Sequence, residues 1–316
     1  MTDRPKPSTT VGIRTYALRS RKSKVDVRRM AKAARPGDTV AGFFRGLPDV
    51  LAAADFKEFA GRMARAKAGR RPLIWGIGAH VIKVGLSPVL IDLMNGGWVS
   101  ALAMNGAGII HDFEMAFAGR TSEDVESQIK SGRFGMARET GDLLNGAVNA
   151  GAAEGRGLGE SVGRMIGRSK FPYRKLSLLG EAYKLGIPVT VHVALGTDVI
   201  HMHPAASGEA LGAASLRDFR RFAEEVARLD GGGVYLNVGS AVILPEVFLK
   251  AVALVRNRGG RLDGFSTAVF DFNHHYRPAE NVVRRPLGKT GKGYYFLGHH
   301  EIMVPLLAAA LKSGVR

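Results

Sequence analysis

Residues Gly186–Asp198 read GIPVTVHVALGTD: an apolar, β-branched run, Val189–Leu195, that stops in a glycine-threonine-aspartate loop. A short run of this kind bounded by turn residues predicts a strand buried on both faces. The polar loop at its carboxyl end is where an open α/β sheet holds its ligands. Four other runs repeat the design. Pro72–Ile77 ends in GAH, Val99–Met104 in NGAG, Val234–Val238 in GSA and Gly264–Phe270 in DFNHH. Stretches with helical apolar spacing fill the intervals, over Val50–Ala68, Pro88–Gly96, Ser122–Gly132, Thr140–Ala152, Tyr173–Leu185, Leu216–Leu229 and Pro245–Arg256. This alternation predicts an α/β fold, a parallel sheet flanked by helices, with the five loops converging on one crevice. The glycine-rich piece from Gly151 to Gly167 breaks the pattern and reads as a lid, a subunit contact or a linker.

Composition narrows the chemistry. The 316 residues are 46% hydrophobic, enough for a sizeable core, and contain no cysteine. Disulfides, thiolate metal sites and cysteine nucleophiles are excluded, so any metal would need His and carboxylate ligands. The formal charge is +17, but Met1–Pro36 alone carries 11 Lys and Arg against 2 Asp and Glu. We therefore expect a basic N-terminal extension over 1–36 and a single domain over 37–316. Without aromatic interleaving or a known RNA- or DNA-binding pattern, nucleic acid is not the expected partner. MTDRPKPSTT lacks the apolar core of a secretion signal, and Ile302–Leu311 is far short of a bilayer span. A cytoplasmic protein with no membrane partner is expected.

The nine histidines fall in or beside strand-end loops or near the C-terminus. GTDVIHMHP (Gly196–Pro204) offers Asp198, His201 and His203; on an extended chain the two histidines share a face, which suits a divalent metal, an anion or an interface hydrogen bond. Imidazole titrates near neutral pH, making His111, His201 and His203 candidates for acid–base work. Gly76-Ile77-Gly78-Ala79-His80 resembles half of a dinucleotide fingerprint, with Val81 where a third glycine would stand. Asn105-Gly106-Ala107-Gly108 adds a second glycine turn, and two such loops can supply backbone N–H donors to a phosphate together. Phe270–Pro286 concentrates Asp271, His274, His275, Arg277, Glu280, Arg284 and Arg285, either a recognition loop for an anion or a solvated loop with structural ion pairs.

Together these loops resemble the deoxyhypusine synthase family. GAHVIKVGL (Gly78–Leu86) is similar to the family's TSN-x-ISSGL, NGAGIIHD (Asn105–Asp112) to TTAGGIEED, and GIPVTVHVALGTD to its IPV strand and TDGS loop. GGVYLNVGSAV (Gly232–Val242) resembles the GGGV strand end, FSTAVFDF and YRPAENV (within Phe265–Val282) resemble NTAQEFDG and RPDEAV, and IMVPLLAAAL (Ile302–Leu311) resembles the closing helix. The similarity is colinear from about Leu73 to Leu311. It implies a Rossmann-like parallel sheet flanked by helices, NAD as cofactor, a homotetramer with active sites at dimer interfaces, and transfer of an aminobutyl group from the polyamine spermidine through an enzyme lysine.

Carried over by position, the resemblance gives Asp198 a cofactor or amine contact, Thr267 a cofactor contact and Glu280 an ammonium contact. Gly78, His80, Asn105, Gly106, Ala107, Gly108, Gly239 and Ser240 would line the NAD site. The family's lysine falls on Pro286 and its tryptophan on Arg284, while His111 and His299 stand where it has acids. Lys289 and Lys292 would replace the nucleophile only if their loop is displaced. The expected protein is an NAD-dependent enzyme that transfers or oxidises an amine-bearing group, with a small-molecule amine or anionic substrate and a pocket altered from that of spermidine-using members. The alternatives are a His/Asp metal-dependent enzyme on the same fold and a non-catalytic oligomeric binding protein.

Overall fold

The computed structural model describes residues 12–314. The first eleven residues of the expected basic extension lie outside the described residues. Six parallel strands form one sheet in the order β3-β2-β1-β4-β5-β6: β1 Leu73–Ile77, β2 Ala101–Asn105, β3 Val189–His192, β4 Val234–Val238, β5 Ser266–Asp271 and β6 Lys292–Leu297. Helices α1 Val40–Gly46 and α2 Leu51–Ala68 precede β1; α3 His80–Lys83 and α4 Ser87–Asn95 follow it. Between β2 and β3 come α5 Gly106–Ala118, α6 Val125–Ile129, α7 Arg138–Ala153, α8 Leu158–Arg168 and α9 Leu178–Leu185. Helix α10 Gly208–Ala227 leads to β4, α11 Ile243–Asn257 to β5, and the turn α12 Tyr276–Pro278, continued by a π-helical turn Ala279–Arg284, to β6. Helix α13 His300–Lys312 closes the described chain.

The strands are buried on both faces, and their alternation divides the apolar residues between two cores. Leu73, Trp75, Ile77, Leu102, Met104, Leu236 and Phe270 pack with Phe56, Phe59 and Met63 of α2 and Val304 and Leu307 of α13. Ile74, Tyr235 and Val269 point the other way, against Phe222 of α10 and Phe248 of α11. Because β1 has β2 on one side and β4 on the other, strand order reverses there, and the carboxyl ends of β1 and β4 mark the switch point at which sheets of this kind hold a ligand crevice.

Three elements differ from the reading of the sequence. The glycine-rich piece is mainly helical, in α8. Gly159, Gly163 and Gly167 recur every fourth residue, and a Cβ at them would press on the Val189 carbonyl, the Leu179 carbonyl and Tyr183 respectively. The glycines thus let α8 lie close against β3 and α9. NGAG is not a free turn: Asn105 caps α5 by accepting the Gly108 N–H at 3.3 Å, so the helix begins at Gly106. The edge strand β6 was not expected.

Asp112 welds α5 to α9. Its buried carboxylate accepts the backbone N–H groups of Leu178 and Leu179 at 2.7 and 3.1 Å and the Ser177 hydroxyl. Burial lifts this carboxyl to about 6 despite those donors. Asp112→Ala would strand three buried donors and is expected to lower stability by about 3 kcal/mol in urea denaturation. Asp112→Asn, which keeps one acceptor oxygen, should lose less.

Candidate functional site

The crevice is built by backbone zipped across neighbouring strand ends. Gly78 N–H donates to Val238 O at 2.8 Å, Gly239 N–H to Phe270 O at 3.0 Å and Gly298 N–H to Asp271 O at 3.0 Å. A Cβ on Gly78 would overlap the Gly239 carbonyl, and Gly239, at φ +69°, takes a left-handed conformation that glycine adopts without strain. Ser240 is buried beside them, its Oγ accepting the Leu244 N–H at 3.2 Å.

On the β2–β3 side, Asp198 is pressed against the first residue of α5, where a Cβ on Gly106 would overlap its carboxylate. His201 Nδ1 accepts the Gly196 N–H at 3.0 Å and the Asp198 N–H at 3.3 Å. A nitrogen that accepts carries no proton, so the neutral ring must be protonated at Nε2. That Nε2 lies 3.8 Å from Asp198 Oδ2, too far for a hydrogen bond, and both atoms are buried without a partner among the described residues. Burial raises the Asp198 carboxyl above its ordinary value. The pair is a donor and an acceptor side by side, each waiting for a third polar atom.

On the β1–β5 side, His300 Nε2 faces Phe270 O at 3.2 Å and therefore donates, leaving its Nδ1 to accept from His80 Nδ1 at 2.9 Å. The unbonded nitrogen of neutral His80 is thus Nε2, a lone pair. His300 is wholly buried, and burial lowers its pKa, which favours the neutral ring this arrangement needs. Half-exposed Phe272 packs beside both imidazoles, with ring centroids 5.5 and 5.6 Å away. His300 was not among the residues expected at the site.

His111 sits one turn further along α5. Its Nδ1 lies 2.7 Å from Thr121 Oγ1, whose own proton goes to Glu114, so His111 donates at Nδ1 and keeps Nε2 as a lone pair. Thr140 adds a second hydroxyl to the Glu114 carboxylate at 3.2 Å. Burial, with nearby Lys83, holds the His111 pKa down at about 4.

Other expected residues stand elsewhere. Val199–Met202 form a 3-10 turn, so His201 and His203 diverge instead of sharing a face. His203 is held at Nε2 by the Gly135 carbonyl at 2.8 Å and packed against Gly141, a fixing contact between segments. Among the described residues no three His, Asp or Glu side chains come together as a metal site. Thr267 is fully buried near the amino end of β5, donating to Val282 O at 2.7 Å, about four residues and 13 Å of strand from the crevice. Glu280 is engaged by Arg284 Nε at 2.8 Å and Arg285 Nε at 3.3 Å, so an ammonium would have to displace them. Lys292 opens β6 at the amino end, paired with Glu58 and Asp55. Lys289 lies in the loop just before it, tied there by Thr290, which accepts the Gly264 N–H at 3.0 Å.

The lowered His111 pKa has a stability consequence of definite sign. A histidine that binds its proton less readily when folded contributes stability that is full above its ordinary value near 6.5 and is lost as pH falls towards about 4. The stability advantage of the wild type over His111→Gln should therefore shrink between about pH 7 and about pH 5, by denaturant titration at each pH.

Comparison with protein-family models and with curated proteins finds no match. Solved structures do match. The apo structure of ArgZ, an arginine dihydrolase from the ornithine–ammonia cycle in cyanobacteria, is 18% identical over 83% of this chain, with a TM-score of 0.51; this chain spans 33% of that one. A LOR/SDH protein from Methanococcus maripaludis is 14% identical over 82% of this chain and 69% of its own, with a TM-score of 0.50. A protein from Entamoeba histolytica assigned as a deoxyhypusine synthase is 10% identical over 89% of this chain and 95% of its own, with a TM-score of 0.51. At these identities the likeness is one of fold: this chain is an α/β protein with a helix-flanked six-stranded parallel sheet, matching deoxyhypusine synthase-like neighbours.

Proposed function

We propose that the chain is an NAD-dependent enzyme acting on an amine-bearing small molecule, with the cofactor held in the carboxyl-end crevice. The observation that carries this reading is the orphaned pair Asp198 Oδ2 and His201 Nε2–H beside the N-terminus of α5. A group that satisfies both must accept one hydrogen bond and donate another. A hydroxyl does so; an ammonium, which only donates, does not. A ribose hydroxyl on this pair would leave Gly106 and Ala107 to face a phosphate, with the Gly108 N–H held by Asn105, and Gly78, His80, Gly239 and Ser240 to line the switch point.

NAD, when bound, supplies a hydride acceptor for oxidation of the carbon bearing the amine. His80 Nε2 is the lone pair that takes up the substrate's proton, with His300 fixing its tautomer. His111 Nε2 is a second neutral acceptor, oriented through Thr121 by Glu114. Asp198 and His201 bind, and His203 holds the loop behind them. Glu246, at the start of α11 beside the crevice, is already matched with Arg277 and Lys250, and Glu280, which stands apart from it, with Arg284 and Arg285. A polycation such as spermidine therefore finds little free negative charge, and a substrate that carries an anionic group beside its amine fits better. With no lysine in the nucleophile's aligned place, direct oxidation or transfer is favoured over a lysine-bound intermediate.

Val242 and Phe272 are half-exposed at the rim of the crevice, and Leu195 and Leu297 more so. The same reading has a second protomer covering this rim, within a homotetramer. Among the described residues no helix is long and apolar enough to cross a membrane. Cytoplasmic placement belongs to the proposal.

Calorimetric titration with NAD tests the reading. We expect saturable binding that Asp198→Ala weakens by about tenfold or more, the loss of one buried charge-assisted contact. His80→Ala should leave NAD affinity within a few-fold while abolishing substrate-dependent NADH absorbance. Absence of NAD binding by the folded wild type would remove the reading.

A further inference from the structure

The amino-terminal end of the sheet carries a second polar pocket, remote from the crevice. Arg62 and Arg65 of α2, Arg71 ahead of β1, Gly231 and Gly232 ahead of β4 and Ser266 at the start of β5 line a cavity of about 280 Å³. Three guanidinium groups around one small space repel one another unless negative charge lies among them. Arg62 is oriented by Glu58, which accepts its Nε and Nη2 at 3.1 and 3.0 Å, and it lays Nη1 3.2 Å from Ser266 Oγ. Arg65 and Arg71 make no ion pair among the described residues; Arg71 reaches only the Asp230 carbonyl, at 3.4 Å.

The carboxylate of Asp230 is engaged elsewhere, by Arg261 at 3.5 Å and the Asp263 N–H at 2.7 Å. Glycine walls bring backbone close: a Cβ on Gly231 would touch Arg71 at 3.2 Å. The backbone beside the pocket is held in the left-handed region at two non-glycine residues, Arg70 at φ +53° and Leu262 at φ +51°. Such conformations are costly and collect at ligand sites.

We propose that this pocket binds an oxyanion of the phosphate class, as free phosphate or as the phosphoryl group of a monophosphate ester. Guanidinium forks match the geometry of phosphate oxygens, and the Ser266 hydroxyl adds a neutral donor. The volume falls just below the range of small-molecule sites, about 300 to 1,000 Å³, which suits a phosphoryl group and excludes a dinucleotide. The site lies across the sheet from the crevice, so it stands independently of the NAD reading.

The test is calorimetry of the full chain with sodium phosphate, against sodium chloride at matched ionic strength. We expect saturable phosphate binding, weakened about tenfold or more in Arg65→Gln and in Arg71→Gln, two exposed positions where folding should persist. Arg164→Gln, on the surface of α8, should leave it unchanged, and NAD affinity should not move. A sugar monophosphate binding more tightly than phosphate would identify an ester as the occupant, and equal or weaker binding free phosphate; either supports the site. The proposal fails if phosphate does no more than matched chloride. It also fails if Arg164→Gln weakens binding as much as the pocket variants, or if those variants lose only a single-stranded oligonucleotide while phosphate is never bound.

Discussion

There is no room for a methyl group at Gly78, and the rest of the carboxyl-end architecture follows from that constraint. The backbone leaving β1 runs against the Gly239 carbonyl leaving β4, and the contact is kept by the Gly78 N–H to Val238 O bond. Holding these two strand ends together fixes where the strand order reverses. From there α5 is directed to one side, with its N-terminus at Asp198, while α11 starts on the other. Gly239 in turn lies against the His300 ring, so the same contact that shapes the crevice also backs the imidazole that sets the tautomer of His80. Fold and site share one steric condition.

The polar chemistry of the crevice is imidazole chemistry with assigned protons. His201, His80 and His111 each have one ring nitrogen committed to a fixed partner: backbone N–H groups, another histidine, and a hydroxyl backed by a carboxylate. The committed nitrogen decides what the free one offers, a donor on His201 and lone pairs on His80 and His111. Acids in the same region are drawn into ion pairs with arginines and lysines of nearby turns. The result is a site with neutral acceptors and few free negative charges.

The sequence disclosed the strands well because parallel strands buried on both faces leave unbroken apolar runs ending in glycine and polar loops, as at Val234–Val238, whose limits are as expected. It concealed β6 because Lys292–Leu297 is an edge strand with partly exposed side chains, preceded by the glycine-bearing GKTGKG. It concealed α8 because glycines that ordinarily break helices here serve as a contact stripe. Colinearity pointed to Asp198 and the turns at Gly78, Gly106 and Gly239, and the structure sets Gly78 against Gly239 and Asp198 against Gly106. Colinearity misplaced Thr267, since sequence adjacency to a strand does not say which end of the strand a side chain occupies. The loop sequence put His201 and His203 on one face, whereas they diverge, because an extended loop and a 3-10 turn have the same letters. His300 carried a faint signal, a doubled histidine opening an apolar helix; its meaning depends on His80, 220 residues away.

That separation bears on how the protein is made. During synthesis, β1 and its loop leave the ribosome well before His300, which follows His80 by 220 residues. Domains emerge from the N-terminal side at about 5 to 20 residues per second. The nascent chain therefore carries β1 and the first glycine loop for some time with His80 lacking the neighbour that assigns its proton. Only when α13 docks across α2 does the imidazole pair form. A chain without that helix lacks the ring that assigns the His80 proton, so ligand competence waits on the docking of α13.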